Sequence, residues 1–182
     1  MKNVLKSKII AFIILIFVTI LQISCDKNEN IEFIELTKGF SMDPDLPRTG
    51  IKITSDNYVY YCEEVMNPED KYYLNKNNVK YKFFKSQQKI DFSKFKEIVL
   101  KNFSNNINKK SIVDDTYCQI YFNINNKKVR NEFYESELNS VQFKIGNEIW
   151  NFKNTLTFKP IDSIYFSQER LQERLTEPPH LE

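Results

Sequence analysis

Apolar and polar residues alternate most regularly between residues 117 and 124, where the sequence reads YCQIYFNI. Every second residue from Cys118 to Ile124 is apolar, while Gln119 and Asn123 fall on the opposite side. A period of two residues is typical of a β-strand that buries one face. The segment is therefore predicted to be a strand whose cysteine side faces the core.

Similar alternation predicts further strands, separated by turn residues. Residues 51–54 and 58–65 form a predicted hairpin around a polar turn at 55–57. Asn125 and Asn126 tolerate positive φ and predict a tight turn into a strand that begins at Lys127. The remaining predicted strands are residues 31–36, 79–85 and 161–166.

The clearest helix prediction covers residues 91–103. Asp91 is placed to accept hydrogen bonds from the free amides of the first turn. Ile90 and Phe95 would form a hydrophobic staple. The apolar stripe at helical spacing consists of Phe92, Phe95, Val99 and Phe103. We expect this helix to lie on the sheet with its phenylalanines facing inwards.

Residues 141–156 fit two patterns, a hairpin that turns at Gly146 and Asn147 or a helix with one apolar stripe from Val141 to Leu156. Because glycine within a helix costs up to about 1 kcal/mol, an irregular strand followed by a short helix near residues 148–156 is predicted.

Together the elements predict an α+β fold with one domain at residues 31–166. The fold would consist mainly of antiparallel hairpins with the 91–103 helix packed on the sheet. Residues 167–182 are predicted to form a charged tail that ends in prolines.

A different pattern opens the chain. Lys2, Lys6 and Lys8 precede an apolar run at residues 9–21, which only Thr19 interrupts. As a helix this run would be about 20 Å long, against a hydrocarbon core of about 30 Å. A basic start, a short apolar run and a small residue at its end are the parts of an export signal.

The residues after the run resemble the signal peptides of bacterial lipoproteins. Ile23, Ser24 and Cys25 match the end of that family's type II signal, although Gln22 stands where leucine is usual. The resemblance implies cleavage between Ser24 and Cys25, with diacylglycerol on the cysteine sulfur and an acyl chain on its amino group. Residues 1–24 would then be a signal peptide. Residues 25–30 would be a lipidated cysteine with a polar tether, which anchors the protein in the cell envelope, with the outer membrane favoured over the inner.

Charge is unevenly distributed along the remaining chain, which carries 23 basic and 24 acidic residues. Residues 26–70 hold 4 basic and 11 acidic residues, residues 71–130 hold 14 and 4, and residues 131–182 hold 5 and 9. The segments either neutralise one another or leave the 71–130 segment as a basic face for an anionic partner. Such a partner could be lipid headgroups, an acidic polysaccharide or an acidic protein. A nucleic-acid binder is not indicated.

The sequence contains few of the residues and motifs that enzymes use for catalysis. His180 is the only histidine, which leaves no Ser-His or Cys-His pair at a fixed site. The sequence offers neither a glycine-rich phosphate loop nor cysteines at metal-binding spacing, so no cofactor and no metal are predicted. Asp114 and Asp115 precede a predicted strand and are typical of a turn. Solvated surface positions are predicted for all the clustered carboxylates: Asp43, Asp45, Glu63, Glu64, Asp114 and Asp115.

Cys62 and Cys118 remain once Cys25 is assigned to lipid. A disulfide between them would stabilise the fold by roughly 4 kcal/mol in the chain-entropy model, provided that Cys62 faces inwards. The alternative is two buried free thiols.

The functional prediction is a non-enzymatic envelope lipoprotein that binds a partner or supports an assembly. The order of hairpins and helix behind an N-terminal cysteine also resembles small lipoproteins of the bacterial envelope. An immunity protein that neutralises an incoming toxin is the second hypothesis, suggested by small size and segregated charge. An envelope hydrolase is the third, and it would need two carboxyl groups that face each other in a pocket.

Overall fold

The computed structural model describes residues 31–39, 46–65, 80–105, 107 and 115–167. The predicted signal peptide at residues 1–24, the tether at residues 25–30 and all of the predicted tail except Ser167 lie outside these ranges.

One seven-stranded antiparallel sheet organises the described residues, with strand order β6-β5-β1-β2-β3-β4-β7. The strands are β1 Phe33–Lys38, β2 Thr49–Thr54, β3 Val59–Glu64, β4 Tyr81–Ser86, β5 Tyr117–Ile124, β6 Lys127–Tyr134 and β7 Phe158–Ile161. The helices are α1 Phe92–Phe103 and α2 Ser140–Thr155, and a short 3-10 turn spans Glu135–Glu137. The predicted α+β fold with a helix packed on the sheet is confirmed.

The two predicted hairpins form where local turn chemistry permits them. Asn125 and Asn126 adopt φ of 52° and 60°, the left-handed conformation that a tight two-residue turn between β5 and β6 requires. Asn57, with φ of 70°, closes the turn between β2 and β3. Asparagine tolerates this conformation better than most residues, which explains its presence at all three positions.

Helix α1 matches its prediction. The side chain of Asp91 accepts a hydrogen bond from the Ser93 amide at 3.0 Å, so it caps the helix. The four predicted stripe residues are the buried residues of the helix: Phe92, Phe95, Val99 and Phe103. They pack against apolar residues of the central strands.

The prediction of an irregular strand before a short helix at 148–156 is wrong, because α2 is one helix from Ser140 to Thr155. Asn139 caps it by accepting hydrogen bonds from the amides of Val141 and Gln142, and Gln142 accepts one from the Asn139 amide in return. This reciprocal capping box offsets the cost of Gly146 in the helix interior.

The last strand also differs from its prediction. β7 ends at Ile161, and the predicted strand at 161–166 is almost entirely irregular chain. β7 contains Pro160, which an edge strand tolerates because one side of its backbone needs no partner. Residues 164–167 then pack on the side of the sheet that faces away from the helices.

The sheet is covered on both sides at its centre, where all six residues of β2 are buried. Both helices pack against one side, which we call the helix face, with a core that includes Ile34, Ile53, Ile120 and Phe122. We call the opposite side the polar face. Alternation along the strands places most of the buried charged residues on the polar face.

Candidate binding face

A single line of residues crosses the polar face from one edge of the sheet to the other. Strand register pairs each member of this line with the next, so that all seven point to the same side. In order from β6 to β7 the line contains Arg130, Tyr121, Glu35, Lys52, Tyr60, Lys85 and Lys159. We call it the central row, and it holds four cations, two tyrosines and one carboxylate.

The middle of the central row is a buried ion pair. Lys52 Nζ lies 3.3 Å from Glu35 Oε2, and the two side chains are 8% and 1% exposed. Glu35 Oε1 accepts hydrogen bonds from the Ser167 amide at 2.8 Å and from its hydroxyl at 2.7 Å. Lys52 also donates to the carbonyl of Tyr165 at 2.8 Å. Burial raises the pKa of the Glu35 carboxyl above its ordinary value, and the Lys52 charge counteracts part of that rise.

A second buried pair lies on the same face. Arg48 Nε and Nη2 donate to the two carboxylate oxygens of Glu64 at 3.1 and 3.3 Å, and the Arg48 amide donates to Oε2 at 3.2 Å. Both side chains are 3% exposed. The prediction of a solvated Glu64 is therefore wrong, because its strand position faces a covered side of the sheet. Glu63 points to the helix face, as strand alternation requires, and accepts a hydrogen bond from the Tyr61 hydroxyl.

Two neighbouring polar side chains on β1 and β5 are buried without hydrogen-bond partners. Thr37 and Gln119 are directly paired in register and each is 1% exposed. The Thr37 hydroxyl and both ends of the Gln119 amide lack a partner. Leaving such a group unpaired costs about 1–3 kcal/mol, and few occur in a folded protein.

Aromatic rings hold cations at both flanks of the polar face. Lys85 Nζ lies 3.8 Å from the centre of the Tyr58 ring, and Lys89 Nζ lies 5.2 Å from the same ring. On the other flank, the Arg130 guanidinium lies 5.0 Å from the Tyr121 ring. These cation–π contacts orient the charges along the face while part of each side chain stays in water.

The two cysteines lie on opposite faces of the sheet. Cys118, on β5, belongs to the core beneath the helices, whereas Cys62, on β3, packs against Phe166 on the polar face. Strands β1 and β2 separate them, a distance of about 14 Å, and a disulfide needs Cα atoms closer than about 7 Å. The disulfide hypothesis is therefore wrong for this structure, and both thiols are free and buried. Burial raises the pKa of both, so neither is an activated nucleophile.

The helix face has a separate groove of about 650 Å³ at its edge, beside α2. It is lined by Lys38, Thr49, Lys144, Asn147, Glu148, Trp150, Asn151, Lys153 and Asn154. Lys38 pairs with Glu135 and also lies 5.0 Å from the Trp150 ring, while Glu148 pairs with Lys94 at 2.7 Å. Two of the four charged residues that line the groove, Lys38 and Glu148, are thus engaged within the protein.

Of the other carboxylates that the sequence analysis considered, the structure describes Asp115 but not Asp43, Asp45 or Asp114. Asp115 accepts hydrogen bonds from the amides of Thr116 and Ser136, which confirms its role in a turn. Asp43, Asp45, Asp114 and His180 lie outside the described residues. Among the residues that the structure describes, no three His, Cys, Asp or Glu side chains are grouped in a way that could hold a metal ion.

Sequence reasoning missed the central row because its members belong to seven separate strands. Glu35 and Lys52 each occupy the polar position of an alternating strand, and that pattern predicts a solvated side chain. The Arg48 and Glu64 pair joins residues 16 positions apart, and no local pattern signals it. The only signal in the sequence was the excess of cations in residues 71–130, which contribute Lys85 and Arg130 to the row.

Comparison with protein-family models, with curated proteins and with solved structures finds no match to this chain. No helix in the described part of the chain is both long and apolar enough to cross a bilayer.

Proposed function

We propose that this chain is a lipid-anchored protein of the cell envelope that acts as a non-catalytic binding module. The central row is the observation that carries the binding part of this proposal. It places three solvent-accessible cations, Arg130, Lys85 and Lys159, in register with two tyrosines on one face of the sheet, around the buried pair of Glu35 and Lys52. The anchor is supported by the resemblance of residues 1–25 to lipoprotein signals.

The chemistry of the buried groups favours binding over catalysis. Glu35 contacts the hydroxyl of Ser167, an arrangement that could in principle activate a nucleophile. Both residues are almost fully buried, however, and Glu35 is also held by Lys52. Glu64 is held in the same way by Arg48. The described carboxylates of this face therefore stabilise the fold and do not face each other across an open pocket, as a hydrolase of the expected kind requires.

The immunity-protein hypothesis depends on the segregation of charge along the chain. Ion pairs between the basic segment 71–130 and the acidic segments neutralise part of that charge. Lys96, from the basic segment, pairs with Glu32 of the acidic first segment at 2.8 Å. Lys94 pairs with Glu148 of the acidic third segment at 2.7 Å. These pairs support mutual neutralisation between the segments.

The anchor is tested by metabolic labelling with palmitate in bacteria that express the full chain. Labelling of the wild-type protein and its recovery with membranes are expected, because acyl chains on Cys25 would hold it there. Cys25→Ala should abolish the label and prevent maturation, whereas Cys62→Ala, a matched cysteine control, should keep both. Palmitate that persists on Cys25→Ala would contradict the proposed anchor.

The binding part is tested by photo-cross-linking in intact cells from a photoreactive phenylalanine placed at Tyr165, which is 75% exposed on the polar face. We expect a defined cross-linked species, formed with a protein or with lipid, when the rest of the chain is wild-type. Lys85→Glu combined with Lys159→Glu should deplete that species, and Lys144→Glu combined with Lys153→Glu on α2 should not. Equal depletion by both double variants would show that the polar face has no special role.

A further inference from the structure

The polar face lies within reach of the proposed anchor. β1 begins at Phe33, whose ring contacts Tyr121 edge-on at 5.1 Å, so the chain enters the sheet beside the central row. Seven residues separate Cys25 from Phe33, and the chain between these two residues extends to about 28 Å at most. From β1, the sheet edges are about 10 Å away at β6 and about 19 Å away at β7. Both flanks of the face can therefore approach the surface in which Cys25 would sit.

Exposed charge on the polar face is predominantly positive. One flank carries Lys128 and Arg130 on β6, next to one partly buried carboxylate, Glu132, and the other carries Lys85, Lys89 and Lys159 on or beside β4 and β7. The carboxylate of the central row, Glu35, is buried against Lys52 and therefore does not offset these charges at the surface. Such a surface complements a layer of anionic headgroups.

Tyrosine side chains accompany the cations, as expected for a surface that meets lipid headgroups. Tyr58 and Tyr121 contact the flank cations, and both rings are partly exposed. Between the flanks, Tyr165 is 75% exposed although it adjoins the buried Lys52, whose Nζ lies 5.7 Å from the Tyr165 ring. Tyrosine is favoured at the membrane interface because its ring is apolar and its hydroxyl can stay hydrated.

We propose that the polar face lies on the bilayer and binds anionic lipid headgroups through its two flanks. This inference rests on the proposed lipid anchor, which brings the face to the membrane. The anchor and the face then act together, because a tethered surface meets its ligand at high local concentration. The face fixes the orientation of the domain, so that the helix face and its groove point away from the bilayer.

Lysine labelling of the full lipidated protein in vesicles tests the proposal. The probe is an amine-acylating reagent that does not cross membranes, and mass spectrometry gives the rate at each lysine. In vesicles that contain phosphatidylglycerol, Lys85, Lys89, Lys128 and Lys159 should react about threefold or more slowly than in phosphatidylcholine vesicles. Lys144 and Lys153 on α2 are internal controls and should react equally in both. High salt should remove the difference, because it screens the attraction.

Several outcomes would overturn the proposal. Equal rates in the two kinds of vesicle, or stronger protection of Lys144 and Lys153, would show that the polar face does not contact lipid. Protection of the flanks by a soluble acidic polysaccharide but not by anionic vesicles would assign the face to a different occupant. Flotation of the vesicles tests the anchor separately. A protein that does not float with neutral vesicles would show that the proposed lipid anchor is wrong. Lysine labelling of that protein after mixing with anionic vesicles would still test whether the polar face binds lipid.

Discussion

Lys52→Met is expected to reduce the free energy of unfolding by about 3–5 kcal/mol at neutral pH, because it leaves the Glu35 carboxylate buried without its cation. Glu35 is 1% exposed and cannot turn towards water to recover its hydration. Methionine preserves most of the lysine's length, so the loss reflects charge more than volume. Urea unfolding followed by circular dichroism provides the measurement.

The effect should diminish as the pH falls. Burial already raises the pKa of Glu35 in the folded protein, and removal of Lys52 raises it further. A carboxyl with a raised folded-state pKa contributes stability that is present at low pH and lost as the pH rises through that pKa. Lys52→Met should therefore approach wild-type stability near the ordinary glutamate pKa of about 4.3 and diverge from it towards neutrality.

Two controls separate this account from a simple packing defect. Glu35→Gln combined with Lys52→Met should recover much of the stability, because no buried charge is left unpaired. Lys159→Met removes an exposed cation from the same row and should change stability by less than about 0.5 kcal/mol. A Lys52→Met variant whose destabilisation is the same at acid and neutral pH would contradict the role assigned to the ion pair.

Phe166→Ala is expected to have the second large effect, a loss of about 3–5 kcal/mol in the free energy of unfolding. The Phe166 ring is fully buried on the polar face, where it stacks against Phe83 with ring centres 6.4 Å apart. It also covers Cys62 and lies so close to Gly50 that a Cβ there would come within 3.0 Å of the ring. Its removal would open a cavity over the centre of the sheet.

The reactivity of the two buried thiols provides a second measurement on the Phe166→Ala variant. Cys62 should become accessible to alkylating reagents in the folded variant, whereas Cys118, beneath the helices, should stay protected. Tyr165→Ala is the matched control, because that residue is 75% exposed and its loss should cost little. Equal stability of the two variants would mean that residues 164–167 do not form part of the fold.

Elements with local causes could be predicted from the sequence. Asp91 and the phenylalanine stripe specify α1 within 13 residues, and Asn125 with Asn126 specifies the β5-β6 hairpin. Helix α2 was harder to predict because Gly146 opposes it, whereas the reciprocal cap between Asn139 and Gln142 and a buried apolar stripe favour it.

The buried polar face could not be predicted, because its cover comes from distant parts of the chain. Lys52 contacts the backbone of a residue 113 positions away, and Glu35 is hydrogen-bonded to one 132 positions away. Strand alternation alone cannot distinguish a polar residue in water from one beneath such a cover. The central row likewise exists only once the order and register of the seven strands are known.

The three cysteines provide the most direct test of the whole account, because each has a different position in it. The measurement is intact-mass spectrometry of the exported protein, unfolded without reductant and treated with an alkylating reagent. We predict two adducts, at Cys62 and Cys118, on a chain that begins with acylated Cys25. Three adducts would show that Cys25 carries no lipid. The absence of adducts at Cys62 and Cys118 would show a disulfide that their positions on opposite faces of the sheet do not permit.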